Sequence, residues 1–136
     1  MSAVAIDTSV LLAIFKGEPK GERWLECLQS AAEAASLLVS SVVYAEVRSF
    51  FPTDKACQTA LHDLDLRHSA LSEDAAILAG RIFRDYRNEG GPRTTILPDF
   101  LVAAHAATQA DSLATEDRGY LRAYFPQIRI LSPQSP

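Results

Sequence analysis

Four acidic residues stand at the borders of apolar segments: Asp7 after Val4-Ala5-Ile6, Glu46 within Val42 to Phe51, Asp99 between Leu97-Pro98 and Phe100-Leu101-Val102, and Asp117 soon after Leu113-Ala114. Brought to one place, such carboxylates repel one another unless hard cations bridge them, and a ligand set made only of oxygen suits Mg²⁺ or Mn²⁺. Two ions so held orient a water, lower its pKa and stabilise both the attacking and leaving oxygens of a displacement at phosphorus. The chemistry to expect is phosphodiester hydrolysis.

Each acid also has a plainer explanation. Asp7 and Asp99 could serve as helix caps or dipole partners, and Asp117 could be a turn residue. Glu46 is harder to explain away. It shares three-and-four spacing with Val43, Val47 and Phe50, so it is expected on a buried stripe, where an ionised carboxylate needs a partner.

The elements that must position these acids alternate in type. Ala3 to Ile6 reads as a strand feeding a helix through Asp7-Thr8-Ser9, and Pro19 to about Ala35 as a second helix carrying Trp24, Leu25 and Leu28. Leu37 to Val39 is a buried strand, Ser40-Ser41 caps a helix over Val42 to Phe51 that Pro52 stops, and Thr53 opens another to about His62. Leu64 to Arg67 alternates like an edge strand. Ser72 opens a long helix ending near Asn88, with Ala75, Leu78, Ala79, Ile82, Phe83 and Tyr86 as its core stripe.

Glu89 to Thr94, with Gly90-Gly91-Pro92, is the most flexible-looking segment, and it leads to Pro98-Asp99 and a helix to about Ala110. Ser112 to Ala114 and Ile128 to Leu131 are short strands, Gly119 is a turn residue, and 132–136 is a fraying tail. This order predicts an α/β fold with a mainly parallel sheet, whose strand ends at the carboxyl side form a ligand crevice. Asp7 and Asp117 follow such ends, and all four acids can share one rim.

The chain has 136 residues, 48% hydrophobic and 22% charged, which suits one globular domain over 1–136. Cys27 and Cys57 are too few for a disulfide framework or zinc cluster, so a reducing cytoplasm is expected. No stretch is apolar for long enough to span a bilayer. The net charge of −4 runs against nucleic-acid binding, but two bound divalent cations would cancel it.

Four stretches resemble the signature of the PIN-domain family, and within it the VapC toxins of type II toxin–antitoxin pairs. Ala5 to Leu11 resembles the first acidic motif, Ser41 to Val47 the helix with the single glutamate, Leu97 to Ala106 the third motif, and Leu113 to Tyr120 the fourth. The resemblance covers nearly the whole chain. It implies a three-layer α/β/α fold with about five strands, and a Mg²⁺- or Mn²⁺-dependent endoribonuclease. Asp7 and Asp99 would be the principal metal ligands, Glu46 and Asp117 would complete the catalytic site, and Ser9 and Thr115 would be supporting hydroxyls. Glu116, beside Asp117, competes for the fourth place. A homodimer and a VapB-like antitoxin lying across the active-site groove are also implied.

Arg93 and Arg118 are candidate RNA-binding residues because they lie near Asp99 and Asp117 in sequence; Arg84 and Arg87 suit a helix C-terminus equally well. A haloacid dehalogenase-type phosphatase would need a second acid where Ser9 stands, and a receiver domain would need paired acids near the first strand and a lysine near the last. His62, His68 and His105 lack zinc-ligand spacing, and no G-x-S-x-G elbow or phosphate-cradling G-x-x-x-x-G-K occurs. The alternative left open is a PIN-like module without catalysis that acts through RNA or protein partners.

Overall fold

The structure, a computed structural model, describes residues 2–116 and 119–133. Met1, Asp117, Arg118 and Gln134 to Pro136 lie outside the described residues. The chain order is β1 (Ser2–Ile6), α1 (Thr8–Phe15), α2 (Pro19–Ala32), β2 (Ala35–Ser40), α3 (Ser41–Phe50) and α4 (Asp54–Asp63). It continues with β3 (Leu66–Ser69), α5 (Glu73–Asn88), α6 (Leu97–Gln109), β4 (Ser112–Ala114), α7 (Gly119–Tyr124) and β5 (Arg129–Leu131).

Every strand pairing is parallel, in the order β3-β2-β1-β4-β5. The chain therefore builds outward from β1 in one direction through β2 and β3, then returns across the sheet and builds the other way through β4 and β5. Right-handed crossovers in opposite directions place their helices on opposite faces, giving three α/β/α layers. In agreement, α1 packs on α2 and α5 packs on α6, while α3 touches both α1 and α6. The reversal falls between β1 and β4, where the loops leaving the two strands part and open a crevice.

The helix starts follow from side-chain chemistry. Ser40, Thr53 and Ser72 are N-caps whose hydroxyls accept from Val43 N (3.4 Å), Ala56 N (3.1 Å) and Ala75 N (3.1 Å), as small hydroxyl residues do at this position. At the end of α5, Gly90 sits at φ +78° and donates to Arg87 O, while Gly91 N donates to Tyr86 O at 2.9 Å, closing the helix in a Schellman turn. The glycine-rich loop that looked flexible in sequence is thus tied down: Tyr86 also donates its hydroxyl to Pro92 O at 2.6 Å, and a Cβ on Gly91 would overlap the Tyr86 ring.

Three sequence expectations shift. Leu64 closes α4 instead of starting a strand, Asp65 turns the chain at φ +57°, and β3 begins at Leu66, at the sheet edge as anticipated. Ala35 belongs to β2, not to the second helix. Gly119 starts the short helix α7, whose one buried residue, Leu121, is too weak a signal to show a period.

The core runs through both helical layers. Trp24 and Leu28 of α2, Val43 and Val47 of α3 and Val4 to Ile6 of β1 are all buried. On the other side Phe100 is fully enclosed, with ring centroids of Tyr86 at 5.0 Å, Phe83 at 5.1 Å and Tyr120 at 5.3 Å. This cluster fixes the first turn of α6 against α5 and α7. Among the described residues no helix is long and apolar enough to cross a membrane.

One buried polar residue breaks the apolar pattern. His105 of α6 is fully buried, its Nε2 lies 2.9 Å from Ser69 Oγ of β3, and its Nδ1 finds no hydrogen-bond partner. Burial, with His68 nearby as a lesser cause, holds its pKa below the ordinary histidine value of 6.5, because desolvation disfavours the charged ring. The unfolded chain then binds the proton more readily, so stability falls as pH drops through about 6.5 toward the lower folded value. In urea titrations at pH 7.5 and 5.0, His105→Gln is expected to lose less stability on acidification than the parent chain. Equal losses would disprove the assignment.

Candidate active site

At the crevice between β1 and β4, the backbone ladder runs one bond past the strands: Asp7 N donates to Ala114 O at 2.9 Å. Asp7 is the N-cap of α1, with extended φ −78° and ψ 154°. Its Oδ1 accepts from Thr8 N at 2.9 Å, and its Oδ2 accepts from Ser9 Oγ at 2.9 Å and Thr115 Oγ1 at 2.8 Å. Thr115 is buried immediately after β4. The carboxylate is therefore held from both sides of the crevice, and the two hydroxyls expected to support it do contact it.

Glu46 joins this group through Thr8, whose hydroxyl donates to Glu46 Oε1 at 2.6 Å. The structure corrects the reason given for singling it out. Val43 and Val47 are the buried residues of α3, whereas Glu46 is exposed and Phe50 is 41% exposed. Glu46 thus sits on the flank of the apolar stripe, where its charge reaches solvent and burial alone demands no cation.

Asp99 occupies the third position of α6, where its Oδ2 accepts from Ile96 N at 2.8 Å and its own N–H donates to Ile96 O at 2.9 Å. This is the carboxylate half of a capping box; Ile96 has no side-chain acceptor to supply the other half. Tyr120 donates its hydroxyl to Asp99 O at 3.0 Å, tying α7 to the first turn of α6. Because the far end of α6 leads into the start of β4, this first turn lies toward the carboxyl end of that strand.

Asp117 and Arg118 lie outside the described residues, so the structure assigns no role to either. Among the described residues, no group of three or more His, Cys, Asp or Glu stands close enough to hold a metal. The donor chemistry nevertheless suits a hard divalent cation. Asp7 and Glu46 present carboxylate oxygens oriented by hydroxyl and amide donors, which share but do not cancel their charge. The thiols offer no rival nucleophile, because burial raises the pKa of both Cys27 and Cys57, leaving them protonated at neutral pH.

A contact missed in the sequence accounts for Glu116. Its Oε1 accepts from the indole Nε1 of buried Trp24 at 2.8 Å and lies 3.7 Å from Lys20 Nζ, while its backbone N donates to Ser9 Oγ at 3.3 Å. Glu116 therefore anchors the loop after β4 to α2. Its sequence signal was a lone Trp on the core stripe of α2, whose N–H must find an acceptor when buried. Glu116→Ala is expected to cost about 1–3 kcal/mol of stability by orphaning that N–H. It should also shift the emission of the chain's single Trp; urea titration and fluorescence with neither change would refute the contact.

Comparison with known proteins agrees with this architecture. Solved structures with the same fold include the VapBC2 complex from Rickettsia felis bound to a promoter DNA fragment, with a TM-score of 0.74, 19% identity, and coverage of 94% of this chain and 96% of that one. A toxin–antitoxin complex from Klebsiella pneumoniae matches at 0.70 with 20% identity, covering 98% and 99%. DNA-bound VapBC from Salmonella typhimurium matches at 0.70 with 22% identity, covering 96% and 97%. A search of curated proteins found no match. The PIN domain family model matches residues 4–126, and the chain belongs to that family.

Proposed function

We propose that this chain is the toxin of a type II toxin–antitoxin pair, a divalent-metal-dependent endoribonuclease whose catalytic residues are Asp7, Asp99, Glu46 and Asp117. The observation that carries the reading is the Asp7 carboxylate, set at the β1–β4 crevice by Thr8, Ser9 and Thr115 within a PIN domain. The toxin role draws on the similar structures, which are VapBC or toxin–antitoxin complexes. A VapB-like antitoxin is the matching partner and a homodimer the matching assembly. Two free cysteines fit a reducing cytoplasm.

Asp7 and Asp99 are the principal ligands in this reading, with Glu46 and Asp117 completing the site directly or through water. Mg²⁺ or Mn²⁺ bound there supplies Lewis-acid activation of water and charge stabilisation at the scissile phosphate. The chain's own contribution is orientation. Ser9 and Thr115 hold one Asp7 oxygen from two different loops, the Thr8 amide holds the other, and the Thr8 hydroxyl fixes Glu46. Ile96 N–H directs the Asp99 carboxylate from the first turn of α6.

The test separates charge from structure. Asn caps a helix about as well as Asp, so Asp7→Asn and Asp99→Asn should fold while losing Mg²⁺-dependent cleavage of single-stranded RNA, as chelation by EDTA should in the parent. Ser9→Ala and Thr115→Val, which remove only orienting bonds, are expected to lower activity about 10- to 100-fold. Undiminished cleavage by folded Asp7→Asn or Asp99→Asn would end the nuclease reading. Harmless expression of active protein without an antitoxin would end the toxin reading alone.

A further inference from the structure

Beside the first turn of α6 lies a cleft of about 500 Å³, between the C-terminal turns of α5 and the loop that follows. Its lining includes Phe83, Arg87, Pro92, Arg93 and Ile96. Ile96 is also the residue whose N–H holds the Asp99 carboxylate, so the cleft abuts the acidic site through a single residue. Its wall is pre-formed by the Gly90-Gly91 turn and the Tyr86 bond to Pro92 O already described. Such a site costs little ordering when it is filled.

Two properties define what fits. The first is uncompensated positive charge: Arg87 and Arg93 are exposed, and among the described residues neither forms a salt bridge. Asp85 and Glu89, the acids nearest in sequence, are not part of the lining, and Glu89 accepts the Tyr124 hydroxyl at 3.0 Å. The second is exposed apolar surface. Ile96 is 52% exposed. The Arg87 guanidinium carbon lies 5.8 Å from the Phe83 ring centroid, which presents a flat cation on an aromatic face. A second cleft of about 300 Å³, lined by Gly80, Phe83, Arg84, Arg87 and Asn88, shares Phe83 and Arg87 with the first and continues the track along α5. Gly80 leaves open space where a side chain would stand.

Cations beside flat apolar surfaces, in a track ending at a phosphodiesterase site, match the alternating phosphates and bases of a single strand. We propose that this cleft seats one nucleotide of a single-stranded RNA flanking the scissile bond, with Arg87 and Arg93 on its phosphates and its base against Pro92 and Ile96. The inference rests on the nuclease reading and adds the substrate's path to it: the strand runs from Asp99 toward the C-terminal half of α5.

The test measures binding of a fluorescent single-stranded RNA of mixed sequence by anisotropy over a salt series, alongside cleavage kinetics with Mg²⁺. Arg87→Ala and Arg93→Ala are each expected to weaken binding about fivefold and to lower the salt slope by about 0.7, the share of one single-strand phosphate contact. KM should rise with kcat little changed. Arg129→Ala, on the edge strand β5, serves as the charge control and should leave both near the parent values. Equal weakening by all three variants would reduce the effect to general attraction and overturn the proposal. So would unchanged RNA binding by Arg87→Ala and Arg93→Ala in a chain that still cleaves, including the case where the variants lose only a protein partner. A parent chain that neither binds nor cleaves RNA would instead remove the nuclease reading, and this inference with it.

Discussion

Everything in the structure is arranged around one constraint: a carboxylate must be held at the carboxyl end of the central strand without being neutralised by folding. Asp7 meets it by doing two things at once. Its backbone extends the β1–β4 ladder to Ala114, and its side chain caps α1. Those bonds place the carboxylate at the reversal of strand order, where no helix covers the strand ends. Changing the topology would move the site, because the crevice exists only where consecutive crossovers part.

The donors chosen at this position matter as much as the position. Hydroxyls and amides direct lone pairs while leaving most of the carboxylate's charge in place, whereas a bidentate arginine would satisfy charge and geometry together. Thr8 does double duty, its amide on Asp7 and its hydroxyl on Glu46, so one residue couples the first turn of α1 to α3. A cation bound among the acids can then offset the negative balance of a chain with net charge −4, which makes the approach of a polyanion compatible with an acidic protein.

How much of this was legible in the sequence depends on whether the signal was local. Caps such as Ser40, Thr53 and Ser72 read correctly, because the hydroxyl that starts a helix is adjacent to it. Ser9 and Thr115 were expected beside Asp7 from family resemblance alone, since they approach it from separate loops and no spacing links them. Glu46 shows where periodicity misleads. At about 100° per residue, it lies about 60° to one side of Val43 while Val47 lies about 40° to the other, so the stripe is real but Glu46 is its margin. The strand at Leu64 failed for a different reason: Asp65, in the left-handed region, turns the chain two residues later than the alternation implied.

The adjacent acids after β4 carry the argument one step further. Sequence order alone cannot separate Glu116 from Asp117, because both stand in one loop and either carboxylate could serve the site. The bond from Trp24 separates them: a buried indole N–H needs an acceptor, and Glu116 supplies it with Lys20 alongside. Glu116 is therefore committed to α2, and its N–H to the Ser9 hydroxyl that in turn donates to Asp7. The loop that presents Thr115 is thus anchored on both sides, by a core tryptophan and by the site's own serine. Precision at Asp7 is in this way inherited from the packing of α2, an element that brings no catalytic group of its own.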